Sequence, residues 1–174
     1  WKDGYKDPQL LSLYRQLLHR LYVIYADARL NNTVNNSTYL SAVYLRLRTT
    51  ARNWSVQTLR EGLESFVSDL AMTELEAPHV RSKHRKEIHR QHHQMMSEWF
   101  DNLWLSTIWT DGQASAIEEI LLSPTIESRD QQLLVSAITI AVINHFDISK
   151  FRILLHVYQK SKDENIRQRA LVGW

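Results

Sequence analysis

The sequence predicts an all-α protein, and three observations lead to that prediction. Four glycines and three prolines in 174 residues are few, which favours long helices over the turn-rich chains of β-sandwiches and barrels. Apolar residues recur at three- and four-residue spacing through much of the chain. The stretch 133–143 is apolar except at Ser136 and Thr139, and a helix that is apolar on all sides must be packed between neighbours. We therefore predict a layered structure of seven or eight helices with this stretch at its centre.

The first predicted helix begins at Asp7 and Pro8. Asp suits the N-cap, and Pro suits the first helical position, where its missing N–H costs nothing. Apolar residues at helical spacing extend the helix to about Leu30 and give it a broad apolar face. The Asn-rich stretch 31–36 then predicts a loop, because Asn competes with helical hydrogen bonds and tolerates turns.

Three further helices are predicted in the N-terminal part. The second begins at Ser37 or Thr38 and ends near Asn53, and the third spans residues 55–75 with an apolar stripe. The fourth spans residues 78–110. Its first half is basic and solvated, whereas its second half is rich in Trp and Leu and must pack.

The dipeptide Asp111-Gly112 predicts the end of the fourth helix, because Gly suits the left-handed conformation that follows a helix C-terminus. The hydrophobic pattern also changes there. We therefore divide the chain into an N-terminal helical bundle, residues 1–110, and a C-terminal part, residues 111–174.

A capping signal precedes the central apolar stretch. Ser128 and Gln131 have the spacing of a capping box, which favours a helix over a buried strand. A shift of 33 residues repeats the signal at Ser161 and Glu164. Both copies predict a short helix, a polar turn and a capped second helix, and periods of this length are typical of helical repeat arrays. The same shift aligns three further pairs: Ile120-Leu121-Leu122 with Ile153-Leu154-Leu155, Asp130 with Asp163, and Ala137 with Ala170.

Residues 163–171 read DENIRQRAL, which resembles the second-helix signature of HEAT repeats. That signature has an acidic N-cap, an aliphatic residue followed by Arg, and then Ala and Leu one turn later. The earlier copy keeps Asp130, Leu133 and Ala137 but has Leu134 where the signature has Arg. The resemblance, limited to the C-terminal part, implies antiparallel helical hairpins stacked as an α-α superhelix, a HEAT-like array. Because proteins of that family commonly mediate protein–protein interaction, the resemblance also implies an interaction role, and it implies no catalytic activity.

The last segment suggests a longer protein. Residues 166–174 give barely two helical turns and end on apolar side chains, whereas a natural terminal repeat has a polar cap. We expect the array to continue beyond Trp174.

Five of the eight histidines lie in residues 79–93. His89 and His93 are one helical turn apart, a spacing that can chelate a divalent metal. The pattern is neither H-E-x-x-H nor the E-x-x-H pairing of di-iron bundles. We therefore predict a solvated polar face, with adventitious metal binding and no cofactor. A helical metalloprotein with ligands at His89 and His93 is a third hypothesis, which elemental analysis of protein purified without a metal-affinity tag tests.

The same stretch is basic, so contact with a polyanion or an acidic protein partner is a second hypothesis. Phosphate binding needs clustered positive charge, but no aromatic residue is interleaved among the charges of residues 81–90 to stack on bases. The candidate side chains are Arg46, Arg48, Arg52, Arg81, Lys83, Arg85, Lys86 and Arg90.

Composition and missing motifs narrow the function. The absence of cysteine rules out a disulfide framework, a thiolate metal site and a cysteine nucleophile. We find no G-x-S-x-G, no P-loop, no dinucleotide fingerprint, no signal peptide and no membrane-spanning run. We expect a non-catalytic interaction or scaffold module of a larger cytoplasmic protein, with an unidentified protein partner and no membrane contact. The alternative is a basic helical nucleic-acid-binding domain that uses residues 81–93, and titration of labelled RNA and DNA at two salt concentrations separates the two.

Overall fold

The computed structural model describes residues 8–173, and in that range the chain forms eight α-helices and no β-strand. The all-α prediction is therefore confirmed. Asp7, the predicted first N-cap, and Trp174 lie outside the described residues. The helices are α1 (Pro8–Asn35), α2 (Thr38–Thr49), α3 (Val56–Thr73), α4 (Pro78–Trp104), α5 (Asp111–Leu122), α6 (Ser128–Asn144), α7 (Ile148–Lys160) and α8 (Glu164–Val172).

α1 continues through the Asn-rich stretch that the sequence predicts as a loop, and it ends at Asn35. Leu30 and Val34 are buried there in an apolar cluster with two residues of α2. Burying each side chain contributes roughly 1.5–3 kcal/mol, which exceeds the helix-propensity cost of an Asn, below about 1 kcal/mol. α2 begins at Thr38, one of the two predicted starts, and Ser37 caps it, because its hydroxyl accepts the N–H of Leu40 at 3.3 Å.

α4 ends at Trp104, earlier than predicted, and residues 105–110 form a linker. The predicted stop at Asp111-Gly112 is wrong, because both residues lie in the first turn of α5. Thr110 and Gln113 form a capping box for that helix: the Thr hydroxyl accepts the Gln N–H, and the Gln side chain accepts the Thr N–H at 3.0 Å. Asp111-Gly112, which the sequence pattern assigns to the end of the fourth helix, therefore lies at the start of α5.

The linker between α4 and α5 is held by the start of α7. Lys150 Nζ donates to the carbonyl of Ser106 at 2.8 Å and to that of Thr107. Asp147, the N-cap of α7, accepts the N–H of Trp109 at 2.9 Å. Because these contacts satisfy the backbone polar groups of the linker, its residues need no helical hydrogen bonds.

The polar residues before α6 and α8 connect helices. The predicted capping box at Ser128 and Gln131 is wrong, because the N-cap of α6 is Glu127 and it makes no side-chain cap bond. Ser128 Oγ donates to the carboxylate of Asp163, and the Gln131 side chain donates to two backbone carbonyls at the end of α5. The repeated box is also wrong, because Asp163 rather than Ser161 caps α8.

α6 lies at the centre of the structure, as predicted, and packs against α4, α5, α7 and α8. Its buried side ends before the helix does, since Ile143 is 73% exposed. The expectation of burial on all sides therefore fails at the C-terminal end of the stretch. Four residues of α6 are completely buried: Leu134, Val135, Ala137 and Ile138.

Two apolar clusters form the core. The larger one joins α3 through α8 and takes residues from both sides of residue 110. The smaller one joins α1, α2 and the linker after α4. Trp54 packs against both clusters. The domain boundary at residue 110 stays a prediction.

The C-terminal helices form two successive pairs, α5 with α6 and α7 with α8, and neighbouring helices pack together. α6 begins at Ser128 and α8 at Glu164, so the second helices start 36 residues apart rather than 33. Ile166 and Ala170 of α8 are buried. The arrangement is compatible with a helical repeat.

Thr110→Ala is expected to lower the free energy of unfolding by about 1 kcal/mol, because it leaves an N–H of α5 without its cap. Urea unfolding followed by circular dichroism measures the change. Ser115→Ala, at an exposed position inside α5, is the matched control and should cost nothing. Equal stability of the two variants would contradict the capping role of Thr110.

Candidate interaction surface

One side of α1 is buried in its C-terminal half, where α2 lies along it. Ala26, Leu30 and Val34 are buried there, and they recur at four-residue spacing, which places them on one side of the helix. Towards the N-terminus the same side is polar and exposed, with Ser12, Gln16 and His19.

The opposite side of α1, about half a turn away around the helix, is apolar and exposed. Five residues at alternating four- and three-residue spacing form one stripe, and each is 48–65% exposed. We call this stripe the α1 seam: Leu10, Tyr14, Leu17, Leu21 and Ile24. Five more apolar residues that are 41–55% exposed extend it: Leu11, Leu13, Leu18, Tyr22 and Tyr25.

The exposed apolar surface continues from α1 to the turn between α6 and α7. The Tyr22 hydroxyl donates to the backbone carbonyl of Phe146. Ile143, Phe146 and Ile148 around this turn are themselves 53–73% exposed. Contiguous apolar patches on monomeric proteins rarely exceed a few hundred Å², and larger ones mark interaction sites.

The sequence predicts the apolar face of α1 but assigns it to the interior of an N-terminal bundle. In residues 8–173, α2 is the helix that packs extensively along α1, and it covers the other side. The 4-3 spacing was visible in the sequence. The sequence did not show that this apolar side of α1 has no helix packed on it, because that depends on where α3 and α4 lie.

The three arginines in the basic first half of α4 pair with carboxylates. Arg81 and Arg85 both pair with Glu74, at 3.3 and 3.0 Å. Arg90 makes two hydrogen bonds to Glu87, at 2.9 and 2.7 Å. Hydrogen bonds from Arg90 lower the pKa of Glu87 to about 2.

The candidate arginines of α2 and the loop after it do not extend this basic stretch. Arg46 pairs with Asp101 at 2.5 Å and Arg52 with Glu98 at 2.8 Å, both in the second half of α4. Arg48 is held by a tyrosine hydroxyl of its own helix. Burial raises the pKa of Asp101 above its usual value, although Arg46 opposes the rise. These pairs connect α2 to α4.

Three of the eight candidate basic residues, Arg48, Lys83 and Lys86, are exposed and make no ion pair within the described part of the chain. The structure brings Arg81 and Arg85 together on one carboxylate, and it pairs Arg46, Arg52 and Arg90 each with a different carboxylate. The eight side chains therefore do not form one continuous positive surface.

Two of the histidines of α4, His89 and His92, pack against neighbouring helices. His92 stacks on Phe66 with ring centroids 3.6 Å apart, and it pairs with Asp130 of α6 at 3.0 Å. His89 meets the same phenyl ring edge-on at 5.4 Å, whereas His93 is exposed. Among residues 8–173 no group of three or more His, Cys, Asp or Glu side chains could hold a metal ion.

A cleft of about 700 Å³ lies between the α1–α2 hairpin and the rest of the chain. Trp54, Trp99 and Trp109 line it, together with Arg48 and Arg52. Both arginines are engaged by partners of this chain. The cleft marks where the smaller apolar cluster separates from the larger one.

Comparison with protein-family models, with curated proteins and with solved structures finds no match for this chain. No helix in the described range combines the length and apolar content that crossing a membrane requires.

Proposed function

We propose that this chain is a non-catalytic protein–protein interaction module and that α1 is its docking element. The observation that carries the proposal is the α1 seam, with its flanking residues, on the side of α1 opposite the buried one. Exposing this much apolar surface to water is unfavourable, and a protein partner that covers it removes that cost. A long helix with one free apolar side suits recognition by another helix or a hydrophobic groove.

The C-terminal helices support a scaffold role, as a HEAT-like array of stacked hairpins. Asp163 caps α8, with its carboxylate accepting the N–H of Asn165 at 2.8 Å. Buried Ala170 allows close approach of the helices. Arg167 folds back to the carbonyl of Tyr158 in α7 at 3.2 Å. Asp163, Arg167 and Ala170 thus have capping or packing roles that stacked helical pairs need.

The ion pairs of α4 favour this function over nucleic-acid binding. The three arginines of the stretch already pair with Glu74 or Glu87, and a phosphate would have to displace these carboxylates. Lys83 and Lys86 are two free cations, whereas proteins that bind DNA with steep salt dependence make roughly 6–10 phosphate contacts.

Site-specific photo-crosslinking in cells that naturally make the protein tests the proposal. A photoreactive residue at Leu17, in the α1 seam, is expected to yield a discrete protein adduct. The same residue at Ser12, on the polar side of the same segment, is the control and should yield none. Absence of an adduct at Leu17, or equal adducts at both positions, would overturn the docking role of α1.

A further inference from the structure

We propose that the partner covering the α1 seam is a second copy of this chain, and that the two α1 helices pair as a parallel coiled coil over residues 10–28. This inference rests on the proposed function, because it names the partner of the same surface. Spacing, exposed area, position on the helix and charge each support it.

The seam has the spacing of a two-stranded coiled coil. Its residues follow one another at intervals of four, three, four and three, and Ala28 continues the series after Ile24. A sustained seven-residue apolar repeat of this form keeps one stripe facing a partner helix along its whole length. Leu10, Leu17 and Ile24 occupy the d positions, and Tyr14, Leu21 and Ala28 occupy the a positions.

The exposed area is sufficient for a stable interface. Leu11, Leu18 and Tyr25 flank the stripe at the e positions, and Leu13 flanks it at a g position, so nine large apolar side chains face one direction. If each half-exposed side chain contributes roughly 100 Å², the surface amounts to about 900 Å² per copy, and a standard interface takes about 800 Å² from each partner.

The rest of the chain leaves the seam accessible to a second copy. The buried side of α1, with Ala26, Leu30 and Val34, lies opposite the seam, so α2 sits on the outside of the pair. His19, which is exposed, lies on that outer side and faces solvent in the dimer.

Charge favours the parallel orientation. In a parallel pair, Arg20 at a g position lies beside Tyr25 at the following e position of the other copy, where a guanidinium packs well on an aromatic ring. In the antiparallel register that keeps residues 10–28 paired, Arg20 lies beside Arg20 of the other copy. Like charges at that point disfavour the antiparallel arrangement.

Molar mass tests whether a second copy binds. Light scattering after size exclusion at micromolar concentration should give twice the chain mass of 20.5 kDa. Leu17→Glu places a charge in the seam and should return the mass to that of one chain. Ser12→Glu is the matched control and should remain dimeric. Circular dichroism of both variants checks that their helix content equals that of the unaltered protein.

Disulfide trapping tests whether the two α1 helices are parallel. No native cysteine can form a competing disulfide, because the chain contains none. In a parallel pair, the two copies of a d residue are close enough for a disulfide, so Leu10→Cys should link to itself under mild oxidation. In the antiparallel pair, the two copies of residue 10 lie about 27 Å apart along the axis. There, a mixture of Leu10→Cys and Ala28→Cys chains would link to each other instead.

The outcomes separate this inference from the proposed function. A dimer whose Leu10→Cys chains link only to Ala28→Cys chains overturns the parallel arrangement. A protein that is monomeric at every concentration, or a Leu17→Glu variant that stays dimeric, overturns the second copy as the occupant of the seam. If a monomeric protein still gives a Leu17 photo-adduct with a different protein, the proposed function stands without this inference. If it gives no adduct, both fail.

Discussion

Ala137→Asp is expected to abolish cooperative folding of α5 through α8. Ala137 is completely buried on α6 and belongs to the larger apolar cluster. A carboxylate there would lie among apolar side chains, and burying an unpaired charge costs several kcal/mol. That cost is comparable with the whole stability of an ordinary domain, roughly 5–15 kcal/mol. Thermal melting followed by circular dichroism at 222 nm should show lower helix content and no cooperative transition.

Ile143→Asp is the control for this prediction. Ile143 lies on the same helix and is 73% exposed, so the same new charge there stays in water and should change the melting temperature little. If the Ala137→Asp variant melted like the unaltered protein, α6 would not lie between α4 and α8.

The contrast between these two positions shows what the sequence pattern can predict. An apolar run predicts a buried helix, and α6 is one. The pattern does not show where the covering helices stop, so Ile143 at the end of the run is exposed. Burial on each side of α6 is set by α4 and α8, which approach it from distant parts of the chain.

The starts of α2 and α3 were predicted to within one residue. Ser37 and Ser55 cap α2 and α3 through their own first turns. Ser128 has the same local signal, but its hydroxyl bonds to Asp163 on another helix pair. Whether a serine hydroxyl accepts a local N–H or donates to a distant carboxylate depends on tertiary packing, so sequence spacing alone does not decide it.

The candidate basic residues show the same limit. The sequence identifies a cluster of positive side chains, but it does not reveal that Arg46 meets Asp101 fifty-five residues away. Several of these side chains form ion pairs with carboxylates on other helices, and the pairs connect those helices. Conversely, the sequence predicts a broad apolar face on α1, and the structure leaves the α1 seam on that helix exposed.

Lys150 is the clearest group that sequence reasoning missed, because a lone Lys in an amphipathic helix is ordinarily solvated. Its side chain is fully buried, and its ammonium lies 4.9 Å from the centre of the Trp109 ring. Burial lowers the pKa of Lys150 from 10.5 to about 8, although the charge of Asp147 opposes the shift. Below pH 8 the ammonium is charged in both the folded and the unfolded chain. Between pH 8 and 10.5 the folded chain releases the proton first, so the unfolded chain binds more protons and stability contributed by this group rises with pH.

Lys150→Met is therefore expected to remove that rise. The difference in free energy of unfolding between the unaltered protein and the variant should change by on the order of 3 kcal/mol across this window, because each pKa unit corresponds to about 1.4 kcal/mol. Urea unfolding at several pH values measures it, and taking the difference cancels the tyrosines and other lysines that titrate in the same range. Lys162→Met, at an exposed position, should leave the pH dependence unchanged. If Lys150→Met shows the same pH dependence as the unaltered protein, Lys150 is solvated, and the linker after α4 must be held by Asp147 alone.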